Sequence, residues 1–122
     1  MILADTSIWI DHFRRSDPVL YRLFHADRIF MHPIVIGEVS LGLRADRPAT
    51  LEILQDLPRA VVAEHEEVLH LIEDWQLYGS GIGYGDAQLL ASVLLTPGSR
   101  LWTRDTSLRK VAQQLSLAAD LP

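Results

Sequence analysis

The chain has 122 residues, 48% hydrophobic and 22% charged, enough for one domain that buries roughly two-thirds of its unfolded surface. It contains no cysteine, which excludes disulfides and thiolate metal sites, and no apolar run near the roughly 20 residues of a membrane span. A net charge of −5 argues against a generic nucleic-acid coat, rich in Lys and Arg, yet leaves room for an enzyme whose acids gather in one pocket.

In chain order, "MILAD" is a short apolar run ending in an acid, and reads as a first strand. It meets that acid too early for a signal peptide and has no basic leader, so a cytoplasmic address is expected. "TSIWIDHF" offers hydroxyl caps and helical spacing. "SDPVLYRLFHA" predicts a second helix, with Ser16 or Asp17 as cap and Pro18 in the first turn. "RIFMH" reads as a strand, and Pro33 opens a helix running towards Ala45. "RPATLEILQDL" is helical and closed by Pro58; "AVVA" is a short strand; "EHEEVLHLIEDWQLYG" is a long amphipathic helix. The loop "GSGIGYG" leads into the helix "DAQLLASVLL", stopped by "TPGS". "RLWT" is a strand, "DTSLRKVAQQL" a helix, and "SLAADLP" an edge strand with a tail. Short strands alternating with helices predict a three-layer α/β/α domain around a parallel sheet of roughly five strands. With no repeat, linker or low-complexity stretch, residues 1–122 read as a single domain.

Four acids stand where such a sheet places ligands, at carboxyl ends of strands and the helix turns beside them. Asp5 follows the first strand, and Asp105 comes just after "RLWT". Asp86 heads a helical stripe with Leu90 and Val93. Glu38 lies in the almost wholly apolar "PIVIGEVSLGL", sharing a helical face with Ile34 and Leu41. Each of the others has a bland explanation. Asp5 and Asp105 both precede a Thr-Ser pair and read as caps, and Asp86 is a first-turn acid worth about 0.3–1 kcal/mol against the helix dipole. Glu38 has neither excuse. Two unit charges about 4 Å apart near a surface interact by roughly 4 kcal/mol, so clustered carboxylates hold protons or need a cation. Oxygen-only ligation selects a hard ion, Mg²⁺ or Mn²⁺.

At these residues the chain resembles a known family. "ADTSIWID", "IGEV", "GYGDAQLLAS" and "LWTRDTSLRKVA", in that order and at fitting spacing, look like the PIN domain, and more narrowly the VapC-type ribonuclease toxins of type II toxin–antitoxin pairs. The resemblance implies Asp5, Glu38, Asp86 and Asp105 as metal ligands, Asp105 being the family's most variable. Thr6, Ser7 and Thr103 match its supporting hydroxyls. It implies metal-dependent endoribonuclease chemistry leaving a 5′-phosphate and a 3′-hydroxyl, with inhibition of translation and growth. It further implies a VapB-like antitoxin, a homodimer built on the early helices, and a higher toxin–antitoxin complex that meets operator DNA only through the antitoxin. Arg14, Arg15, Arg104 and Arg109 are candidates to hold the RNA strand. Ten of the eleven basic residues are arginine, a bias that genome composition produces as readily as phosphate binding does.

Other signals point less far. "GSGIGYG" misses the third glycine of a dinucleotide fingerprint and follows a helix rather than a strand. His65 and His70 are five apart and share no face as zinc ligands would. Trp9, Trp75 and Trp102 read as core or interface, and Asp11 as a support of the site or a solvated helix residue. Two competing readings are a PIN-like binding module without catalysis and a Mg²⁺-binding receiver domain phosphorylated on aspartate. The receiver needs a lysine after a late strand, whereas the single lysine, Lys110, falls inside the last helix.

Overall fold

The computed structural model describes residues 1–122. The elements are β1 (Ile2–Ala4), α1 (Thr6–Arg14), α2 (Pro18–His25), β2 (Ile29–Phe30), α3 (Pro33–Gly42), α4 (Arg47–Asp56), α5 (His65–Asp74), α6 (Tyr84–Leu95), β3 (Arg100–Trp102) and α7 (Thr106–Gln114). The sheet is parallel throughout, in the order β2-β1-β3, with Leu3 opposite Phe30 on one side and Leu101 on the other. Leu3 and Ala4 are fully buried, and Trp9 and Trp102 join the same continuous core, while Trp75 is half exposed.

The α/β class is as expected, but the sheet has three strands rather than five. In place of the other two there is one parallel bridge each: Met31 with Arg59, the residue just before "AVVA", and Leu101 with Ala118 in "SLAADLP". The first pairing stops early because Val61, whose side chain is exposed, gives its N–H to the Thr96 hydroxyl at 3.1 Å instead of to a strand. Glu64 then opens α5 by giving its own N–H to Glu67. "AVVA" is therefore a connection.

Helix starts follow the local chemistry. Asp17 caps α2, accepting from Val19 and Leu20 N–H with Pro18 in the first turn. His32 caps α3 by accepting the Ile34 N–H at 3.0 Å on Nδ1. Burial, then the nearby Arg59 charge, lower its pKa from 6.5 to about 4, so at neutral pH Nδ1 keeps the lone pair that the cap uses. The connection before α6 turns through Gly79 and Gly81, at φ 74° and 88°, a backbone region costly to any residue with a Cβ. Helix α6 starts at Tyr84, two residues ahead of the expected "DAQ".

The apolar run around Glu38 has a specific resolution. Helix α3 packs against α1, α4 and α6, and its buried positions are Val35 and Val39. Ile34 is half-buried, Glu38 exposed and Leu41 90% exposed. Glu38 therefore lies beside the core stripe, on the helix flank that meets α1. Val35→Ala is expected to cost about 2 kcal/mol through lost burial and a cavity, whereas Leu41→Ala stays within about 0.5 kcal/mol; urea denaturation of the two variants checks this.

Candidate active site

The site begins with β1. Its successor, Asp5, continues the ladder by donating its N–H to the Trp102 carbonyl at 2.9 Å, then leaves the strand as N-cap of α1. Oδ1 accepts from Ser7 N–H at 2.9 Å, from the Ser7 hydroxyl at 2.5 Å and from Ile8 N–H at 3.4 Å. Oδ2 accepts from the Thr103 hydroxyl at 2.5 Å. Asp5 is only 5% exposed. Burial raises its pKa against the lowering effect of these hydrogen bonds. It is a desolvated carboxylate kept in one orientation.

Three further acids reach the same place from separate elements. Glu38 accepts from the Thr6 hydroxyl at 2.8 Å, joining α3 to the first turn of α1. Asp86, in the first turn of α6, accepts from Gly83 N–H at 3.1 Å. Asp105 caps α7 by accepting from Leu108 N–H at 2.9 Å, while its own N–H donates to the Thr103 hydroxyl at 3.0 Å. Together Asp5, Thr6, Ser7, Glu38, Asp86, Leu89 and Asp105 line a cleft of about 160 Å³. Burial raises the pKa of Asp86, and the charges of Asp105 and Glu38 add to this against the Gly83 hydrogen bond. Asp86 thus senses the charge of both neighbours.

Two glycines sit at close approaches between these helices. A Cβ at Gly42 would stand 3.3 Å from Ile10 Cδ1, and one at Gly85 would stand 3.3 Å from Ile34 Cγ2. The first contact lies on the α1–α3 seam and the second between α3 and α6, the pairs carrying Thr6 with Glu38 and Glu38 with Asp86.

As the side chains stand, no three acids or histidines form a ready-made chelating group, and each carboxylate is turned to a hydroxyl or backbone donor. The donor set nonetheless fits a hard divalent ion. Every side-chain ligand candidate is an oxygen, several are carboxylates on one small cleft, and the ionised state of Asp86 is opposed by two negative neighbours that a cation would offset.

The cleft thus gathers the four expected acids with Thr6 and Ser7, and Thr103 supports it from beneath Asp5. The four arginines proposed for the strand do not line it. Arg14 and Arg15 are exposed at the end of α1, Arg109 is half-buried on α7, and Arg104 is ion-paired to Asp11 and Asp17. Lys110 is exposed on α7 and also stands outside the cleft, so a receiver-like lysine is missing from it. Leu89 was not foreseen as part of the site. Its place three residues after Asp86 on one helical face was the available signal.

The PIN domain family matches residues 2–114. Over 118 residues the chain is 43% identical to Ribonuclease VapC32 of Mycobacterium tuberculosis (strain CDC 1551 / Oshkosh), covering 97% of this chain and 95% of that protein. The protein of the same name from strain ATCC 25618 / H37Rv aligns to the same extent. The chain belongs to the PIN domain family and, within it, to the VapC type.

The raised pKa of Asp86 has a stability consequence with a definite sign. The fold holds this proton more tightly than the unfolded chain does, so its contribution is full below about 3.8 and is lost as pH rises through the folded pKa. In excess EDTA at pH 7, Asp86→Asn is expected to melt at a higher temperature than the unsubstituted protein. The gain should shrink towards pH 4, as followed by calorimetry.

Proposed function

We propose that this chain is a Mg²⁺- or Mn²⁺-dependent endoribonuclease, the toxin of a toxin–antitoxin pair. The observation that carries the reading is the convergence of Asp5, Glu38, Asp86 and Asp105, drawn from four separated stretches, on one cleft. The named ribonuclease relatives supply the reaction class.

The division of labour follows from the contacts. Asp5 is the fixed point, with both oxygens oriented by Ser7 and Thr103. Glu38 and Asp86 are the other principal ligands, with Asp105 completing the pocket or orienting water. Thr6 steadies Glu38, and the Leu89 side chain gives the cleft an apolar wall. A divalent ion, when bound, supplies positive charge for the phosphodiester and acidifies water for in-line attack. The carboxylates offer the ion oxygen ligands and repel RNA phosphate until their charge is offset. Cleavage of this kind on cellular RNA inhibits translation and growth.

A VapB-like antitoxin is the expected partner, with a homodimer and a higher toxin–antitoxin complex as the larger assembly and operator DNA reached through the antitoxin. The exposed Leu41 and Ile53 on α3 and α4 support the early-helix dimer. No helix is long and apolar enough to cross a membrane, and a cytoplasmic place of action accords with the RNA substrate. The whole of residues 1–122 is proposed to act as one domain.

The test uses purified protein freed of antitoxin and a total-RNA substrate resolved on a denaturing gel. Cleavage is expected with Mg²⁺ or Mn²⁺, to stop with EDTA, and to fall to background in Asp5→Asn and Asp86→Asn. Cutting that persists in EDTA or in Asp5→Asn overturns the metal-site reading, and RNA retention without cutting favours a binding module.

A further inference from the structure

Among the basic side chains only Arg104 forms an ion pair with a carboxylate, and it forms two: NH1 donates to Asp11 at 2.9 Å and NH2 to Asp17 at 2.5 Å. Its Nε donates to the Pro122 carbonyl at 3.2 Å, and the guanidinium carbon lies 5.5 Å from the Trp102 ring centroid. Every nitrogen of the fork is engaged, on three different partners. The Asp17 side chain is only 12% exposed and that of Arg104 only 28%, so the pair escapes much of the screening that weakens surface ion pairs.

The backbone of the same residue faces the acids. Arg104 N–H donates to the Ser7 hydroxyl at 3.2 Å, and that hydroxyl donates to Asp5 Oδ1. The residue before it, Thr103, holds Asp5 Oδ2, and the residue after it, Asp105, lines the cleft. Thr103, Arg104 and Asp105 form the turn between β3 and α7, where a small backbone shift would move donors and ligands together. The Arg104 side chain leads away from the cleft and ties this turn to α1, through Asp11, and to the cap of α2, through Asp17.

We propose that Arg104 is a positioning residue: by clasping Asp11 and Asp17 it fixes the β3–α7 turn, so that Ser7 and Thr103 hold the Asp5 carboxylate in its working orientation. Arg104 thereby acts through other residues rather than on the RNA strand. For its kinetic arm the proposal rests on the nuclease reading above.

The test compares Arg104→Met and Arg104→Lys in the full chain, alone and combined with Asp11→Asn and Asp17→Asn. Arg104→Met should lower kcat for RNA cleavage about ten- to hundredfold through misplacement of the acids, with KM and its salt dependence unchanged. Amide hydrogen exchange should quicken at Ser7 and Arg104 relative to Leu3 in the core strand, and Mn²⁺ binding measured by calorimetry should weaken. Arg104→Lys should recover only part of each effect, because one ammonium cannot serve three separated acceptors. With Asp11 and Asp17 both neutralised, Arg104→Met should add little, the non-additivity expected of groups acting as one unit.

A raised KM with a shallower salt dependence would make Arg104 an RNA contact and overturn the proposal. So would a lower melting temperature with unchanged kcat, exchange and Mn²⁺ affinity, which marks a simple structural tie. If the unsubstituted protein cuts no RNA, the nuclease reading fails by itself, and the exchange measurements still decide the role of Arg104.

Discussion

A carboxylate withdrawn from water at the end of the central strand governs how this protein is built. A buried charge is tolerated only when it is hydrogen-bonded or paired, and Asp5 draws its donors from both sides: Ser7 and Ile8 from the helix that follows, Thr103 from the turn just after the neighbouring strand. The second donor exists because β1 and β3 are parallel neighbours in a register that sets Ala4 beside Trp102. Thr103, 98 residues away in sequence, is thereby delivered to Asp5 by the sheet itself. Topology and site are one arrangement.

The capping and functional explanations of these acids turn out to be compatible. Asp5 and Asp105 both cap helices, Asp86 occupies the first turn of α6, and all three line the cleft. In a parallel α/β layout the helices after the strands begin at the same edge, so their N-terminal partial charges face a common region. That favours carboxylates there and partly offsets their mutual repulsion. Glu38 is the exception. It sits mid-helix, and its partner is a hydroxyl contributed by another helix.

Much of this was legible in the amino-acid order. Every helix was foreseen, because Pro18, Pro33, Pro58 and the "TPGS" turn punctuate the chain where helices start or stop, and the acids stood out, Asp5 and Asp105 after strands, Asp86 at a helix start and Glu38 inside an apolar run. The sheet edges were not legible. "AVVA" has the composition of a strand, yet a side-chain hydroxyl from Thr96 captures the amide that a strand would use. The face assignment of α3 was also hidden, since a run with so few polar residues gives periodicity nothing to read. Arg104 shows the same limit from the other direction. Its charge suggested a hold on phosphate, and only the fold reveals that Asp11 and Asp17 stand close enough to claim it.

Two tight glycine contacts lie in the seams between the helices that carry the acids. Gly42 against Ile10 and Gly85 against Ile34 leave no room for an added methyl without some movement. An alanine at either place would leave every carboxylate in the sequence while pressing on an isoleucine side chain in the seam, which must give by a few tenths of an ångström. Nature or an engineer could therefore adjust the setting of the cleft by degrees, as one turns a vice, without touching any of the carboxylates that line it.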